Sequence, residues 1–382
     1  MVVNIGIDIS LTIGERAGVG NYCYNLVKHL AKIDKKNTYV LFPFYYYIFH
    51  PDFKKAERPP NRNFRINLKK IPSNIIKTLW KSGFIPKKFF FPKVDILHST
   101  TFCIPKKGYK KLVVTIYDLS FLTHPEFHLE DNVYHCHKGS LEAVQYADKI
   151  IAISENTKKD LVKYLHCDPR KIVVTYLGVD KRFKPIKNQN KIEEIKKKYD
   201  LSKRYIFTLS SIEPRKNISG LIESYARLPT GITDVYDLVI AGGKGWRNLD
   251  IYKRVRKSDF EKKVRFIEYV HDNDLPYLYN GATVFVYPSF YEGFGLPVLE
   301  AMTCGCPVIS SNISSIPEVV GKAGILINPN NTYELRDSIQ KLLENPKVQK
   351  RMSKRGLKQA KKFTWEKCAK QTYKIYEGLF LY

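Results

Sequence analysis

Two acidic residues, Glu292 and Glu300, are separated by a glycine-rich turn that contains Gly293 and Gly295. Ionised carboxylates accept hydrogen bonds from hydroxyl groups, such as those of a sugar or a ribose, but do not bind phosphate. Glycine has no Cβ, so the backbone of the turn can approach a ligand closely. The spacing therefore predicts a site in which two carboxylates, at different depths of the site, bind hydroxyl groups of one ligand.

A second chemical signal is the pair of cations Arg215 and Lys216. A strand predicted from Tyr205 onward runs into a turn, and the two cations stand at the end of that turn, just before a predicted helix. The N–H groups at a helix N-terminus attract anions. The guanidinium adds planar donors and the ammonium adds a point charge, so this segment predicts a clamp for a diphosphate.

A strand and a helix flank the turn at Glu292 and position it. The short β-rich run Ala282–Tyr287 indicates a buried strand. Residues Pro297–Cys304 predict a helix, with Pro297 suited to its first turn. A glycine turn that leads from a strand into a helix is a common anion site, because the unpaired N–H groups of the helix point at the ligand.

Length and composition set the class of protein. The chain has 382 residues, which suits two domains with separate cores, and 44% of them are hydrophobic, which excludes a disordered protein. No apolar run approaches the roughly 20 residues that span a bilayer. The N-terminus begins directly with a strand pattern, so no signal peptide is expected. The seven cysteines are scattered, which favours a reducing, cytoplasmic location.

The formal net charge of +27 favours anionic partners. Residues 54–93 mix lysine and arginine with aromatic side chains, and two interpretations of this insertion stay open. Cations beside aromatics suit a segment that makes peripheral contact with an anionic membrane from its inner face. Alternatively, the insertion packs on its own domain and its lysines are simply solvated.

Strand patterns alternate with helix patterns in both halves of the chain. This alternation predicts an α/β protein in which each half is a parallel sheet wrapped in helices. We predict an N-terminal domain over residues 1–185, a C-terminal domain over residues 200–362 and a terminal helix over residues 363–382 that crosses back to the first domain.

Polar residues follow two predicted strands of the N-terminal half. His98 lies at the end of one, and Tyr117 and Asp118 come directly after another. Ligand sites of α/β proteins form at the carboxyl ends of parallel strands. His98 is either a ligand contact or a core histidine with a satisfied ring. Gly18 and Gly20 lie in a glycine-rich turn after the first strand, which by itself is a weak signal and is compatible with a tight connection.

These segments resemble the retaining glycosyltransferases of family 4. Glu292 and Glu300 match the Glu-x7-Glu signature of that family, together with the flanking Pro288-Ser289 and Glu-Gly-Phe-Gly-Leu-Pro. Residues 177–180, Leu-Gly-Val-Asp, are similar to the segment that ends the N-terminal half of family members. The resemblance covers nearly the whole chain. It implies the GT-B fold, in which two Rossmann-like, doubly wound parallel-sheet domains face a cleft.

The resemblance also implies roles for single residues. A nucleotide-sugar donor would bind the C-terminal domain and the acceptor the N-terminal one. Catalytic roles fall to Glu292, Asp118 and Lys216, and acceptor contacts fall to His98, Tyr117 and Asp118. The implied donor-binding residues are Arg215, Lys216, Glu292, Gly293, Phe294, Gly295, Leu296, Glu300, Val270, Gly18 and Gly20.

Three positions depart from the family pattern. Tyr117 stands where histidine is frequent, Ser210 where arginine is frequent, and Leu177 where asparagine is usual. Either Arg215 compensates for the missing arginine at position 210, or the clamp is weaker than in other family members.

The activity implied is transfer of a hexose, with retention of configuration, to a glycan or lipid-linked acceptor in polysaccharide or glycolipid synthesis. The Glu-Pro-Arg-Lys-Asn version of the clamp, residues 213–217, resembles bacterial and archaeal mannosyltransferases, which favours GDP-mannose as the donor. No cofactor and no metal are expected, because the clamp cations can replace a metal.

Two alternatives remain. The first is an epimerase or phosphorylase of the same fold, which product analysis would distinguish. The second is a basic nucleic-acid-binding module, for which the net charge argues. That module leaves the paired glutamates without a role, so nucleic acid is not the expected partner.

Overall fold

A computed structural model describes residues 2–12, 18–43, 57–67, 92–102, 104, 108–201, 204–243, 251–252, 255 and 260–380. The described strands are β1 (Asn4–Asp8), β2 (Thr38–Phe42), β3 (Phe64–Ile66), β4 (Val94–Ser99), β5 (Tyr109–Ile116), β6 (Lys149–Ala152), β7 (Ile172–Val174), β8 (Arg204–Leu209), β9 (Tyr236–Ala241), β10 (Val264–Phe266), β11 (Val284–Tyr287), β12 (Val308–Ser311) and β13 (Ile325–Ile327).

The described helices are α1 (Gly18–Ile33), α2 (Ser120–Thr123), α3 (Glu130–Tyr146), α4 (Glu155–Leu165), α5 (Gln189–Lys198), α6 (Ile218–Ala226), α7 (Thr230–Thr233), α8 (Leu275–Gly281), α9 (Leu296–Thr303), α10 (Ile316–Val320), α11 (Thr332–Leu343), α12 (Pro346–Ala360) and α13 (Trp365–Gly378). Their alternation with the strands confirms the predicted α/β class.

The chain divides into two compact units, Met1–Gly178 with Trp365–Tyr382, and Val179–Thr364. Residues 179–185 were expected to end the first domain, but they belong to the second unit. There the Asn280 side chain donates to Lys184 O at 3.0 Å and accepts from Ile186 N at 2.7 Å. Helix α13 belongs to the first unit, where it packs against α1.

The first unit is built on a seven-stranded sheet in the order β3-β2-β1-β4-β5-β6-β7. Every recorded strand pair in it is parallel, and Ile7 of β1 lies opposite both Leu41 of β2 and His98 of β4. Strands β4 to β6 are nearly continuous runs of buried residues, as expected for a parallel sheet covered on both faces. Helix α1 covers part of the sheet with the apolar stripe Tyr22, Leu26 and Leu30.

The second unit repeats this plan with a six-stranded parallel sheet in the order β10-β9-β8-β11-β12-β13. In both sheets the order of strands reverses beside the first strand of the unit, between β1 and β4 and between β8 and β11. Loops at the carboxyl ends of such strands diverge, which leaves a crevice at the switch point. Each unit therefore has its own natural place for a ligand.

Element boundaries agree with the sequence pattern at the main motif. The strand predicted over residues 282–287 is observed at Val284–Tyr287, and the helix predicted over 297–304 at Leu296–Thr303. The strand predicted over 38–46 is observed at Thr38–Phe42, and residues 44–46 lie outside the described part of the chain. Of the insertion predicted over 54–93, only residues 57–67 and 92–93 are described, and the former include β3.

Candidate active site

The predicted diphosphate clamp and the glutamate turn meet in the second unit because β8 and β11 are neighbours at its switch point. Lys216 follows β8 and Glu292 follows β11. Backbone contacts join the two loops, with Phe290 N donating to Arg215 O at 2.9 Å. Asn217 adds side-chain bonds to Pro288 O at 3.2 Å and to Pro329 O at 2.7 Å. The two motifs therefore form one site.

Asn217 explains how the chain turns from the clamp into helix α6. Residues Pro214–Lys216 form a short 3-10 helix, and Asn217 follows in the left-handed region with φ of 54°. Asparagine tolerates this conformation better than most residues. The turn directs the Lys216 side chain inward, where it is buried.

A buried ion pair forms the centre of the site. Lys216 Nζ lies 2.6 Å from Glu292 Oε1, and it also donates to the Tyr287 hydroxyl at 3.0 Å. Arg215 Nη1 lies 3.4 Å from Glu292 Oε2, and Arg215 Nη2 lies 2.8 Å from Glu213 Oε1. Each cation thus bonds at least one carboxylate, and Glu292 bonds both cations.

The charges of Lys216 and Arg215 determine the protonation state of Glu292. Burial alone would raise its pKa, but Lys216 and then Arg215 outweigh burial and lower the pKa to about 2. Burial also lowers the pKa of Lys216, and Glu292 opposes that effect. Glu292 is therefore a carboxylate at any physiological pH.

Glu300 has the opposite electrostatic environment. Its Oε2 accepts a hydrogen bond from the Tyr279 hydroxyl at 3.0 Å. Burial raises the pKa of Glu300 to about 7, and the Tyr279 bond and the charge of Arg182 only partly oppose this. Near neutral pH, Glu300 therefore exchanges between its neutral and charged forms.

The turn between the two glutamates requires glycine at position 295, both for its backbone conformation and for its packing. Gly295 has φ of 97°, and a Cβ there would lie 2.6 Å from Ile316 Cδ1. Phe294 anchors the turn by packing its buried ring against Phe363, with 5.7 Å between the centroids. Among the described residues, the N–H groups of Gly293, Gly295 and Leu296 have no hydrogen-bond acceptor. These donors are available to an anion at the start of α9.

The remaining donor-binding predictions lie in two other places. Val270 is buried in the loop after β10. Gly18 begins α1 and Gly20 is buried in its first turn, while residues 13–17 before them lie outside the described part of the chain. A Cβ at Gly18 would meet nothing within 4 Å, so the space beside it is open.

The structure corrects the predicted acceptor contact of His98. This residue is 0% exposed. Its Nδ1 lies 2.6 Å from the Tyr376 hydroxyl, and its Nε2 lies 2.8 Å from Thr115 Oγ1. Burial lowers its pKa to about 3, so the ring is neutral. Of the two interpretations left open, the core histidine is the one observed, because the side chain points into the interior near α13.

Tyr117 also points away from solvent, so its predicted acceptor contact is corrected in the same way. Its hydroxyl donates to Thr100 O at 2.8 Å, and its ring is buried. Asp118 is half-buried and accepts from Ser120 N at 2.9 Å and Ser120 Oγ at 2.7 Å. Ser120 Oγ in turn lies 2.9 Å from His128 Nε2. Hydrogen bonds that link Asp118 through Ser120 to His128 thus fix the position of the Asp118 carboxylate.

Sequence reasoning missed residues at both switch points. In the first unit Asp8 ends β1, and its Oδ2 accepts from Thr101 Oγ1 at 2.8 Å. Its position at the carboxyl end of the first strand was the available signal. In the second unit, the missed residues were Glu213, Tyr279 and Tyr287. The pattern gave no signal for the two tyrosines, because aromatic residues in such segments usually belong to the core.

Two family models together cover most of the chain. The model described as "Glycosyltransferase Family 4" matches residues 16–183, and the one described as "Glycosyl transferases group 1" matches residues 190–359. The first match lies largely in the first unit and the second lies within the second unit.

Curated relatives and a solved structure agree with these matches. "O-antigen chain mannosyltransferase B" from Escherichia coli is 37% identical over 285 residues, 74% of each chain. "Serotype-specific mannosyltransferase WbdA" from Escherichia coli is 33% identical over 68% of this chain, and the match spans only 32% of that longer protein. Sucrose-phosphate synthase from Thermosynechococcus elongatus superposes with a TM-score of 0.77 at 20% identity, covering 99% of both chains. The chain therefore belongs to glycosyltransferase family 4 and is a glycosyltransferase with the GT-B fold.

Proposed function

We propose that this glycosyltransferase moves mannose from GDP-mannose to a growing glycan in the synthesis of a surface polysaccharide, with retention of anomeric configuration. The observation that carries the proposal is the buried contact of Lys216 and Arg215 with Glu292 at the second switch point. The names of the relatives support the choice of sugar and pathway, since both are O-antigen or serotype mannosyltransferases.

When the donor binds to the second unit, its diphosphate would replace the Glu292 carboxylate as the partner of Lys216 and Arg215. A diphosphate carries more negative charge than one carboxylate, so it would draw Lys216 and Arg215 toward itself. The N–H groups of Gly293, Gly295 and Leu296 would add fixed donors. Donors fixed in a buried site stabilise charge that develops on a leaving group, and removing one such donor typically costs about 10²- to 10³-fold in rate.

Glu292 would then hold hydroxyl groups of the sugar ring. Its pKa of about 2 keeps it ionised, so it always accepts hydrogen bonds. Glu300 would accept from the ribose hydroxyls. Its pKa of about 7 makes this second contact dependent on pH.

Retention is proposed to follow a front-face path. A double displacement needs a nucleophilic carboxylate close to an acid or base, typically about 5–5.5 Å apart. The Glu292 carboxylate is engaged with two cations, which makes it a poor nucleophile. In the proposed path the acceptor hydroxyl attacks C1 of the sugar as the bond to the diphosphate breaks. The departing phosphate oxygen takes the hydroxyl proton, and Asp118 orients the acceptor.

Location and membrane contact are also proposals. Among the described residues, every helix is too short or too polar to cross a bilayer. We place the protein in the cytoplasm, with peripheral contact through residues 54–93, because their cations and aromatics suit an anionic surface. Flotation with anionic and neutral vesicles tests this, and equal recovery with both vesicle types would contradict it.

The proposed function is tested by incubating the protein with GDP-mannose and a mannose-terminated oligosaccharide. The expected product carries one added mannose whose anomeric configuration, read by proton NMR, matches that of the donor. UDP-glucose and UDP-galactose serve as donor controls. Free GDP with an unmodified acceptor, an inverted linkage or an epimerised nucleotide-sugar would each contradict the proposal.

A further inference from the structure

A cavity of about 380 Å³ lies in the first unit, between α1 and the segment that leads to β3. This falls within the range of small-ligand pockets, roughly 300–1,000 Å³. No residue assigned above to donor or acceptor binding lines it. The apolar part of its lining comes from Ile9, Tyr24, Val27, Ala31, Pro59 and Pro60.

Two lysines on one face of α1 line the cavity. Lys28 and Lys32 stand one helical turn apart, and both are exposed. Like charges four residues apart destabilise a helix. Neither lysine forms an ion pair with any described residue, although Lys28 Nζ lies 5.6 Å from the centroid of the Tyr24 ring. An anion in the cavity would relieve this repulsion.

The far wall adds a third cation and is fixed to α1. Arg58 lines the cavity, and its Nη1 donates to Phe64 O at 3.2 Å. Asn61 Nδ2 donates to Ala31 O at 2.9 Å, which ties the wall to the helix. Glu57 is the acidic residue of the lining, so three cations face one carboxylate. The cavity is thus preformed, apolar in its floor and positive at its rim.

We propose that this cavity binds the phosphate end of a lipid, with the phosphate at Lys28, Lys32 and Arg58 and the first part of the hydrocarbon chain on the apolar floor. Inorganic phosphate would leave the floor unused, and a neutral lipid would leave the cations unneutralised. The lipid is the carrier of the glycosyl acceptor, a part of the inference that rests on the proposed function.

The site is tested with farnesyl phosphate as the probe, kept below its aggregation concentration. The full chain is labelled at alanine, isoleucine and valine methyl groups, and the methyl signals are followed by NMR during titration. We expect saturable shifts at Ile9, Val27 and Ala31. Farnesol and inorganic phosphate should each bind at least tenfold more weakly. Unmoved methyl signals, or equal affinity for inorganic phosphate, would overturn the proposal.

Charge variants separate this site from a general attraction to a basic protein. The double substitution K28Q/K32Q should weaken farnesyl phosphate binding tenfold or more. The matched control K36Q/K159Q removes two exposed lysines of the same unit that do not line the cavity, and it should leave the affinity unchanged. Equal losses in both variants would overturn the proposal. Ala31→Phe fills the cavity and should also weaken farnesyl phosphate binding. If that variant does not fold, K28Q/K32Q and its control test the proposal.

The titration needs no donor, so its result is independent of mannosyl transfer. If transfer occurs, K28Q/K32Q should raise the KM for a lipid-phosphate-linked acceptor about tenfold and leave the KM for a water-soluble glycan unchanged. Specific probe binding in a chain that transfers no mannose supports the site and removes only the proposed function. Transfer without any probe binding removes only the site.

Discussion

The two units have the same order of strands around their switch points, but the carboxyl edges of their sheets have different chemistry. In the second unit this edge carries the charged cluster of Lys216, Arg215 and Glu292. In the first unit it carries Asp8 with hydroxyl partners, including Thr101. Topology thus brings loops together in both units, and the side chains on those loops determine which ligand each edge can bind.

The comparison extends to two glutamates of one motif. Cations lower the pKa of Glu292 to about 2, whereas burial beside Tyr279 raises that of Glu300 to about 7. The neighbours of Glu292 come from the loop after β8, and Tyr279 comes from α8. The same residue type therefore acquires two properties from its tertiary neighbours.

The largest effect is expected at Glu292. Glu292→Gln keeps the shape but loses the charge that pairs with Lys216 and that is proposed to bind the sugar hydroxyls, so kcat/KM should fall about a thousandfold. Mannosyl transfer measured by product formation checks this, with the exposed Glu344→Gln as the control. Transfer at the wild-type rate would remove Glu292 from the mechanism.

The second-largest effect is expected at Lys216. Lys216→Met removes a positive charge from the clamp, and we expect kcat to fall about a hundredfold and GDP to bind more weakly. It also leaves Glu292 with only Arg215, and breaking a buried ion pair typically destabilises a protein by about 3–5 kcal/mol. Kinetics and urea unfolding are both needed. A variant that loses stability but keeps its GDP affinity would show that Lys216 is structural only.

The first unit is tested at Asp118. Asp118→Asn keeps its hydrogen-bonding shape but loses its charge, and misplacement of the acceptor should lower kcat about a hundredfold. GDP affinity measured by calorimetry should not change, because Asp118 belongs to the first unit. If Asp118→Asn also lost GDP affinity, the result would contradict the proposal that the second unit binds the donor and the first unit binds the acceptor.

A smaller, pH-dependent effect is expected at Glu300. In the proposed donor contact the charged form of Glu300 accepts hydrogen bonds from the ribose, and the population of that form grows as the pH rises through about 7. GDP should therefore bind about tenfold more tightly at pH 8 than at pH 6. Glu300→Gln should bind weakly and retain only the pH dependence of the phosphate groups themselves. An unchanged pH profile in that variant would refute the assignment.

The smallest effect on activity is expected at His98, which separates packing from catalysis. His98→Phe leaves Tyr376 without its buried hydrogen-bond partner, so the free energy of unfolding should fall by about 1–3 kcal/mol. Because the folded-state pKa of His98 is depressed to about 3, the wild type loses stability as the pH falls below about 6.5, and the variant should lose less. A large loss of kcat without loss of stability would restore the predicted acceptor contact.

The sequence by itself determined the local structure of the second unit. Glycines, prolines and β-rich runs predicted the strand, turn and helix around Glu292 to within two residues. Such patterns are reliable because backbone preferences and burial periodicity act over a few neighbouring residues. Chain length and the alternation of strands with helices predicted two α/β domains, and the family resemblance added the GT-B fold.

Only the tertiary structure decided which side chains meet. Glu292 and Lys216 are 76 residues apart, and they bond because β8 and β11 are neighbours in the sheet. His98 lies near the carboxyl end of β4 and Tyr117 directly follows β5, as ligand contacts would, yet both turn inward to partners from other elements. A strand pattern says where a side chain stands along the chain. The elements packed against it determine whether it is reached by solvent, by an opposite charge or by the core.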